Sequence, residues 1–370
     1  MPLEIAANNH RFPITVVMPV RNEAAFIEQS LGSVIAQDYP AALLEIIVVD
    51  GMSDDGTREI IRDLIDRQQL SAGTGPRSHA DAPSLMMLDN PSHTVPFALN
   101  IALEHARGMV IVRVDGHCEI PKDYVSRCVD ELIQSRADCA GGVIKTVGLT
   151  PVANYIAVAQ SSMFGVGGAA FRTGRTKPGL TDTLAFGAYR RDVFDRLGAF
   201  DVEMVRNQDD EFNYRLLHSG GKIWMNPSIE AIYYSRASVS GLWKQYLQYG
   251  CWKVRVLQKH PGQMRVRQFA PAALVALVLV LAILALFARG VLFLAFGLMT
   301  LYLAVLVIAT LSAVRKVGTR SFATIAFAFI ALHWGYGLGF LFGLVKFWNR
   351  WGERIKNPVC VDSTGQGTEP

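Results

Sequence analysis

IIVVDGMSDDGT, residues 46–57, decides the fold. Four apolar residues run straight into Asp50, and an unbroken Val/Ile run of this length is what a parallel strand buried on both faces requires. The glycines and small polar residues that follow make a turn, and TREIIRDLIDRQ (57–68) then sets Ile60, Ile61, Leu64 and Ile65 at helical spacing. Strand, turn and helix recur on either side. Ile14 to Val20 reads as a strand, and Glu23 to about Gln37 as a helix with Phe26, Ile27, Leu31, Val34 and Ile35 on one side. Leu85 to Leu88 is a short strand, Thr94 to Arg107 a helix stopped by Gly108, and Met109 to Val114 a strand. A helix from about Pro121 to Gln134 and a strand from Cys139 to Ile144 continue the alternation, which predicts an α/β, doubly wound, mostly parallel sheet.

Beyond Ile144 the rhythm loosens. Residues 71–84 read as a loop, and residues 161–183, rich in Gly, Thr and cations, as either a mobile loop over a site or a linker. Asp192 to Leu197 and Asp209 to His218 read as short helices. Leu242 to His260 is a basic, aromatic amphipathic stretch suited to a membrane surface.

Three acidic clusters follow strands or open helices: Asp50, Asp115 in VIVRVDGHCE (110–119), and Asp209 in RNQDDEFNYR (206–215). Ligands of open α/β sheets bind at the carboxyl ends of the strands, where such acids can hold a nucleotide, a metal and a base. Each acid taken alone also fits a helix N-cap.

The hydrophobic fraction of 51% and the mean hydropathy of +0.24 are high for a wholly water-soluble chain of 370 residues. Between Glu230 and Glu353 there is no Asp or Glu, yet 13 Lys and Arg occur, so the remainder of this +4 chain carries a net −9. Such asymmetry points to anionic lipid headgroups or a phosphorylated substrate, or to the positive flanks of membrane helices. Residues 1–13 lack a secretory-signal pattern, which places the N-terminal half in the cytosol. The five cysteines (118, 128, 139, 251 and 360) form no CxxC pair, which argues for reduced thiols and against a zinc site.

Ala270 to Ala288 and Val291 to Leu311 are uncharged apolar runs of about the 20 residues a membrane helix needs. Ser321 to Val345 is a third, but it holds His333 and a glycine-rich HWGYGLGF, and cations flank both its ends. A span and a re-entrant segment are both open for it, a span being preferred. The expected organisation is a cytosolic catalytic domain over 1–240, a basic interfacial segment over 241–268, a transmembrane region over 269–346 and a tail over 347–370. This makes a multi-pass protein of the inner membrane with its catalytic domain in the cytoplasm.

TVVMPVRNE, IIVVDGMSDDGT, PFALNIALEHARG, VIVRVDGHCEIPKDYV, AFGAYRRDVF, GAFD and NQDDEFNYRL together resemble the family 2 glycosyltransferases of the GT-A fold, over residues 14 to about 255. Within that family the chain is most similar to bacterial exopolysaccharide enzymes of the succinoglycan-biosynthesis type. The resemblance implies that Asp50 accepts the imide N–H of a uracil base and that the segment of Pro19 and Glu23 wraps the nucleoside. Asp54 is expected to be structural.

Asp115 and His117 stand two apart at a strand end and can face the same way, where a divalent cation would bridge the donor's diphosphate. The family's usual Asp-x-Asp becomes Asp-x-His here, and imidazole shifts the expected preference toward Mn²⁺ over Mg²⁺. Asp209 matches the family's general base for inverting transfer, with Asp210 and Glu211 as rivals and Arg215 as the partner of one of these acids. QYGCW (248–252) keeps the Gln and Trp of the QxxRW motif of processive synthases but has Cys251 in place of Arg, which argues against processive synthesis. Gln248 and Trp252 are acceptor candidates, Trp252 by stacking on a sugar, and Lys253 and Arg255 can meet an acceptor diphosphate; an interfacial helix explains the same residues.

The function expected is an inverting, metal-dependent hexosyltransferase of exopolysaccharide biosynthesis. It would take a nucleotide sugar, UDP-glucose first, to a polyprenyl-diphosphate-linked saccharide, with membrane lipids and no nucleic acid as partners. A polyprenyl-phosphate sugar synthase is one alternative, and a membrane scaffold without catalysis is another.

Overall fold

The computed structural model describes residues 11–73, 82–174 and 177–352, so most of the expected loop at 71–84, together with Cys360, lies outside the described residues. The chain divides into two compact units, with boundaries after Lys145, Thr173 and Tyr233.

The first unit alternates as its apolar periodicity requires: β1 (Ile14–Val20), α1 (Ile27–Ile35), β2 (Leu44–Asp50), α2 (Thr57–Gly73), β3 (Ser84–Asp89), α3 (Val95–His105) and β4 (Val110–Arg113). β5 (Cys118–Glu119), α4 (Tyr124–Ser135) and β6 (Cys139–Val147) follow, the last running past the boundary. α5 (Pro151–Gln160), α6 (Met163–Val166) and α7 (Ala170–Thr173) belong to the second unit. The chain then returns to the first unit as β7 (Gly179–Leu180), β8 (Ala188–Arg190), α8 (Arg191–Leu197), α9 (Gln208–His218) and β9 (Ile223–Tyr234). The glycine-rich stretch read as a loop thus contains α6, α7 and β7, although two of its residues, 175 and 176, lie outside the described residues.

All seven residues of β1 and of β2 are buried. β1 lies between β2 and β4, parallel to both, and β2 pairs in parallel with β3 so that Asp50 stands beside Asp89. The order across the sheet is β3-β2-β1-β4-β8-β6-β9-β5, with β7 beside β9. The expectation of a mostly parallel sheet describes the half from β3 to β4. Beyond it the sheet is mixed, since β8 runs antiparallel to β4 and to β6, and β9 antiparallel to β5 and β7. Parallel neighbours need a long crossover that packs back on the sheet, and the helices between β6 and β8 pack in the other unit. The chain leaves β1 toward β2 and β3 and returns on its other side as β4, and ligands of open α/β sheets bind at the carboxyl ends of strands beside such a reversal of order.

The second unit is helical: α5 to α7, then α10 (Val239–Lys259), α11 (Val266–Ala285), α12 (Arg289–Val317), α13 (Phe322–Ile330) and α14 (Tyr336–Lys346). Among the described residues, three helices are long and apolar enough to cross a membrane: Val266–Ala285, Arg289–Val317 and Thr319–Lys346. The second leaves Phe293, Phe296, Leu294 and Ile308 more than 60% exposed and the first leaves Val280 and Ile283 at least half exposed, which suits lipid and not water. The third is continuous through a π-helical turn at 331–335, where His333 meets the Phe164 carbonyl at 2.7 Å and the Tyr302 hydroxyl at 3.3 Å. A core of Ile156, Leu242, Leu306, Ile325, Phe329 and Leu332 joins α5 to the apolar helices.

α10 packs along α14 at backbone contact. A Cβ at Gly339 would fall 2.1 Å from the Leu247 carbonyl oxygen, and one at Gly343 2.6 Å from that of Cys251. Small residues every fourth position are what allow two helix backbones to approach so closely.

Candidate active site

Loops after β1, β2 and β4 build the site. The turn after β2 is laced to the one after β1: the Asn22 backbone N–H donates to Ser53 Oγ at 2.8 Å and the Glu23 N–H to Thr57 Oγ1 at 2.8 Å. The Asn22 side chain exchanges bonds with Asp54, and Asp55 accepts from the Ala24 and Thr57 amides. Asp54 is therefore occupied structurally. Asn22, Met52 and His93, one in each loop after β1, β2 and β3, take positive φ values of 55°, 57° and 61°. Such conformations in non-glycine residues persist only where surrounding bonds hold them, and they gather at functional loops.

Asp50 is fully buried at the end of β2. Its carboxylate accepts from the Ser53 backbone N–H at 3.0 Å, from Ser53 Oγ at 2.6 Å and from Arg58 Nη1 at 2.6 Å. Arg58 also donates to Asp89 at 2.8 Å, so one guanidinium separates two strand-end acids that register sets side by side. Pro19 is buried within β1, one residue from its end, opposite Val49.

After β4 the chain turns, with the Cys118 N–H bonded to the Asp115 carbonyl. Asp115 and His117 consequently engage different partners. Arg113 holds Asp115 in a two-pronged bond, Nε to Oδ1 at 2.8 Å and Nη2 to Oδ2 at 3.1 Å. His117 Nδ1 lies 2.8 Å from Glu23 Oε1, and its ring meets the edge of Tyr233 with centroids 5.1 Å apart. Gly116 makes this approach possible, because a Cβ there would sit 2.9 Å from Val20 and 3.0 Å from Glu23.

Asp209 comes from the first turn of α9. That helix is fixed by Phe212, packed against Phe194, Phe200 and Tyr189, and by Asn213, which accepts the Tyr189 hydroxyl at 2.7 Å. Tyr189 lies on β8 opposite Ile111 of β4, and this anchoring brings Asp209 near Arg113. The helix is capped by Asn207 at φ 62°, so Asp209 is not its N-cap residue, although its Oδ1 accepts the Asp210 N–H at 2.9 Å.

The surface of Asp209 is partly open, yet protein atoms crowd its carboxyl. Desolvation lifts its pKa above the ordinary value, Arg113 opposes the rise, and Asp210 and Asp115 add to it. Burial alone would lower the Arg113 pKa, and the neighbouring Asp115 and Asp209 carboxylates raise it instead. Glu211 is consumed by Arg215, at 2.7 and 3.0 Å, and Arg215 also donates to the Leu197 and Ala199 carbonyls. The expected Arg215 pair is therefore with Glu211.

Among the described residues no three His, Cys, Asp or Glu side chains gather closely enough to enclose a metal ion. The donor set that is present fits a cation shared with a diphosphate, since phosphate oxygens and water complete such coordination spheres. A carboxylate only accepts, so a neutral His117 facing Glu23 carries its proton on Nδ1, and Nε2 then holds the lone pair a cation needs, which is how metal-binding histidines are oriented. Asp115 would supply the oxygen.

The acceptor candidates lie in the second unit. Lys253 and Arg255 are buried, with Arg255 Nη1 donating to Gln258 at 2.8 Å. Trp252 packs against Phe347 under the Lys346 ammonium, and Gln248 is exposed. Sequence reasoning assigned no role to Arg113, Arg58 or Asp89. The signal for the first was visible: an arginine inside the buried run VIVRVD must find an acid.

The pattern of Glycosyl transferase family 2 matches residues 15–198. The succinoglycan biosynthesis protein ExoA of Rhizobium meliloti (strain 1021) is 31% identical over 260 residues, which cover 70% of this chain and 74% of that protein. The chain belongs to glycosyl transferase family 2. A Methanococcus voltae protein, a dolichyl N-acetyl-α-D-glucosaminyl phosphate 3-β-D-2,3-diacetamido-2,3-dideoxy-β-D-glucuronosyltransferase, is 24% identical over 340 residues, 90% of this chain and 97% of its own. Among solved structures, mannosyltransferase PcManGT of Pyrobaculum calidifontis, in complex with GDP-Man and Mn²⁺, superposes with a TM-score of 0.56 at 22% identity, over 88% of this chain and 86% of that one. This likeness establishes the fold as GT-A-like, with long apolar helices after the mixed sheet. The family 2 kinship and the relation to an exopolysaccharide enzyme agree with the motif resemblance.

Proposed function

We propose that this glycosyltransferase is an inverting, cation-dependent enzyme anchored in the inner membrane. It moves a hexose, with UDP-glucose the first-choice donor, onto a polyprenyl-diphosphate-linked saccharide during exopolysaccharide assembly. The observation that carries the reading is Asp209, a carboxylate raised in pKa and placed beside Arg113 and Asp115 at the carboxyl ends of the strands. Sugar hydroxyls are weak nucleophiles, and a carboxylate within hydrogen-bond reach removes the proton as the new bond forms. Asp209 takes the acceptor hydroxyl's proton while that oxygen attacks the anomeric carbon. The bond from that carbon to the diphosphate oxygen breaks on the opposite face, which inverts the centre and releases the nucleoside diphosphate.

A divalent cation held through Asp115 and His117 Nε2 would neutralise charge on the leaving diphosphate. Asp50 is assigned to the base edge, with Arg58 and Ser53 fixing its carboxylate, and Pro19 and Glu23 belong to the wall around the nucleoside. Gln248, Trp252, Lys253 and Arg255 remain the acceptor assignment. The name of the M. voltae relative describes transfer onto a lipid-linked sugar, and that relative aligns over 90% of this chain, which favours a lipid-linked saccharide over bare polyprenyl phosphate as acceptor.

The test supplies extracted lipid-linked saccharides, or polyprenyl phosphate alone, with a panel of radiolabelled nucleotide sugars. Label from UDP-glucose should enter the lipid-linked saccharide with a β-linkage. Label on bare polyprenyl phosphate, or a retained α-linkage, would overturn the proposal.

A further inference from the structure

Arg113 is the last residue of β4, more than nine-tenths buried, and two of its three nitrogens are spent on Asp115. The third, Nη1, is buried and has no hydrogen-bond partner among the described residues. A buried donor without an acceptor is costly, and a bound ligand that supplies the missing acceptor is one reason for a native structure to keep one. The ligand expected beside Asp115 is an anion, the donor's diphosphate. The guanidinium fork meanwhile covers both oxygens of the one carboxylate assigned to the cation, so a bare cation must compete with Arg113 for Asp115.

We propose that Arg113 is an exchangeable counter-ion that makes the cation and the nucleotide bind together. Without ligand its fork holds Asp115. When the donor arrives, the diphosphate accepts from Nη1 and draws the guanidinium off the carboxylate, and the cation takes the vacated oxygens. A geometry-matched fork suits both partners, because guanidinium pairs in two-pronged fashion with carboxylate and with phosphate alike. Arg113 is a positioning residue in this scheme, and the inference rests on the assignment of Asp115 as cation ligand.

The proposal is a statement of coupling, and coupling between two binding sites is reciprocal. Binding of Mn²⁺ to the full-length protein in detergent, followed by the loss of free-ion electron paramagnetic resonance signal with and without UDP, measures it directly. For the unaltered protein UDP should tighten Mn²⁺ by a factor within the roughly 5- to 150-fold range usual for coupled sites. Arg113→Lys keeps the charge but cannot fork. It should bind Mn²⁺ several-fold more tightly without UDP, and the tightening by UDP should shrink. Arg113→Gln should go further in both respects.

Damage to the fold weakens binding and cannot produce a gain, so a gain in the Lys variant separates the fork from a merely structural role and from simple charge removal. Unchanged or weaker Mn²⁺ binding in Arg113→Lys, with UDP coupling intact, overturns the proposal. Asp115→Asn is the control for the underlying assignment. If it leaves Mn²⁺ binding untouched, the cation is not on Asp115 and the site assignment itself fails; if it removes binding while Arg113→Lys changes nothing, only the exchange mechanism fails. Should Arg113→Gln not fold, as its melting curve would show, the Lys variant decides alone.

Discussion

Glu23 Oε1 and His117 Nδ1 lie 2.8 Å apart, joining the loop after β1 to the turn after β4 across 94 positions of sequence. In a neutral imidazole this contact places the proton on Nδ1 and leaves the lone pair on Nε2. Under the proposed cation assignment, it would turn a departure from the family's Asp-x-Asp pattern into an oriented ligand.

Removing the orienting carboxylate should therefore weaken cation binding without touching a ligand. Glu23→Leu is expected to raise the Mn²⁺ concentration needed for half-maximal transfer by about 10- to 100-fold, the usual effect of losing such a partner. His117→Asp should instead narrow the difference between Mn²⁺- and Mg²⁺-supported rates, since oxygen replaces nitrogen. Activation curves in the two metals check both, and an unchanged ratio for His117→Asp would remove His117 from the ligand set.

Asp209→Asn should lower transfer by roughly 10² to 10⁴ while donor binding persists. The same variant should melt at a higher temperature at neutral pH. Burial raises the folded-state pKa of Asp209 above its unfolded value, so the fold favours the protonated form; stability from this group is complete below about pH 4 and is lost as pH rises through the raised value. An amide is neutral at every pH and escapes that loss. The rate of the unaltered enzyme should rise with pH along a limb displaced upward from the ordinary aspartate value. Near-normal transfer in Asp209→Asn would hand the base role to Asp210, because Glu211 is committed to Arg215.

Arg58 stands between Asp50, which is fully buried, and Asp89, which is half exposed. Arg58→Met leaves two neighbouring strand-end acids without a counter-ion, and stranding a buried charge costs about 3 to 5 kcal/mol. The midpoint of denaturation should drop accordingly, with loss of UDP affinity. Adding Asp50→Asn to that variant should restore much of the stability and none of the nucleotide binding. Equal stability in the two variants would show that Asp50 is not where the cost falls.

Much of this was readable in the chain. The Val and Ile runs at 14–20 and 46–49 read as buried strands and form them, and Asp50 closes the second of these strands as its place in the run suggests. Bonding between distant loops was not readable, because Asp115 and His117 look like one strand-end pair by spacing, whereas a turn sends one to Arg113 and the other to Glu23. The second unit was obscured for a related reason. Residues 146–173, where the alternation loosens, lie inside the stretch expected to form the catalytic domain, but their apolar side chains Ile156 and Ala159 find their partners in Phe329 and Leu332, far along the sequence.

The same long-range logic governs α10 and α14. Gly335, Gly339 and Gly343 stand four apart on the third apolar helix, facing the carbonyls of Trp243, Leu247 and Cys251, which are also four apart. Of these three the tightest is Gly339, with a Cβ falling 2.1 Å from an oxygen of the opposing backbone, so the helices themselves must part. Gly339→Ala should destabilise the detergent-solubilised protein by about 1 to 3 kcal/mol, the range for overpacking a close contact. Gly297→Ala on α12, where nothing lies within 4 Å of the added methyl group, should leave stability nearly unchanged. Thermal melts of the pair decide the matter: equal melting temperatures for the two variants would mean that α10 and α14 do not meet at backbone distance.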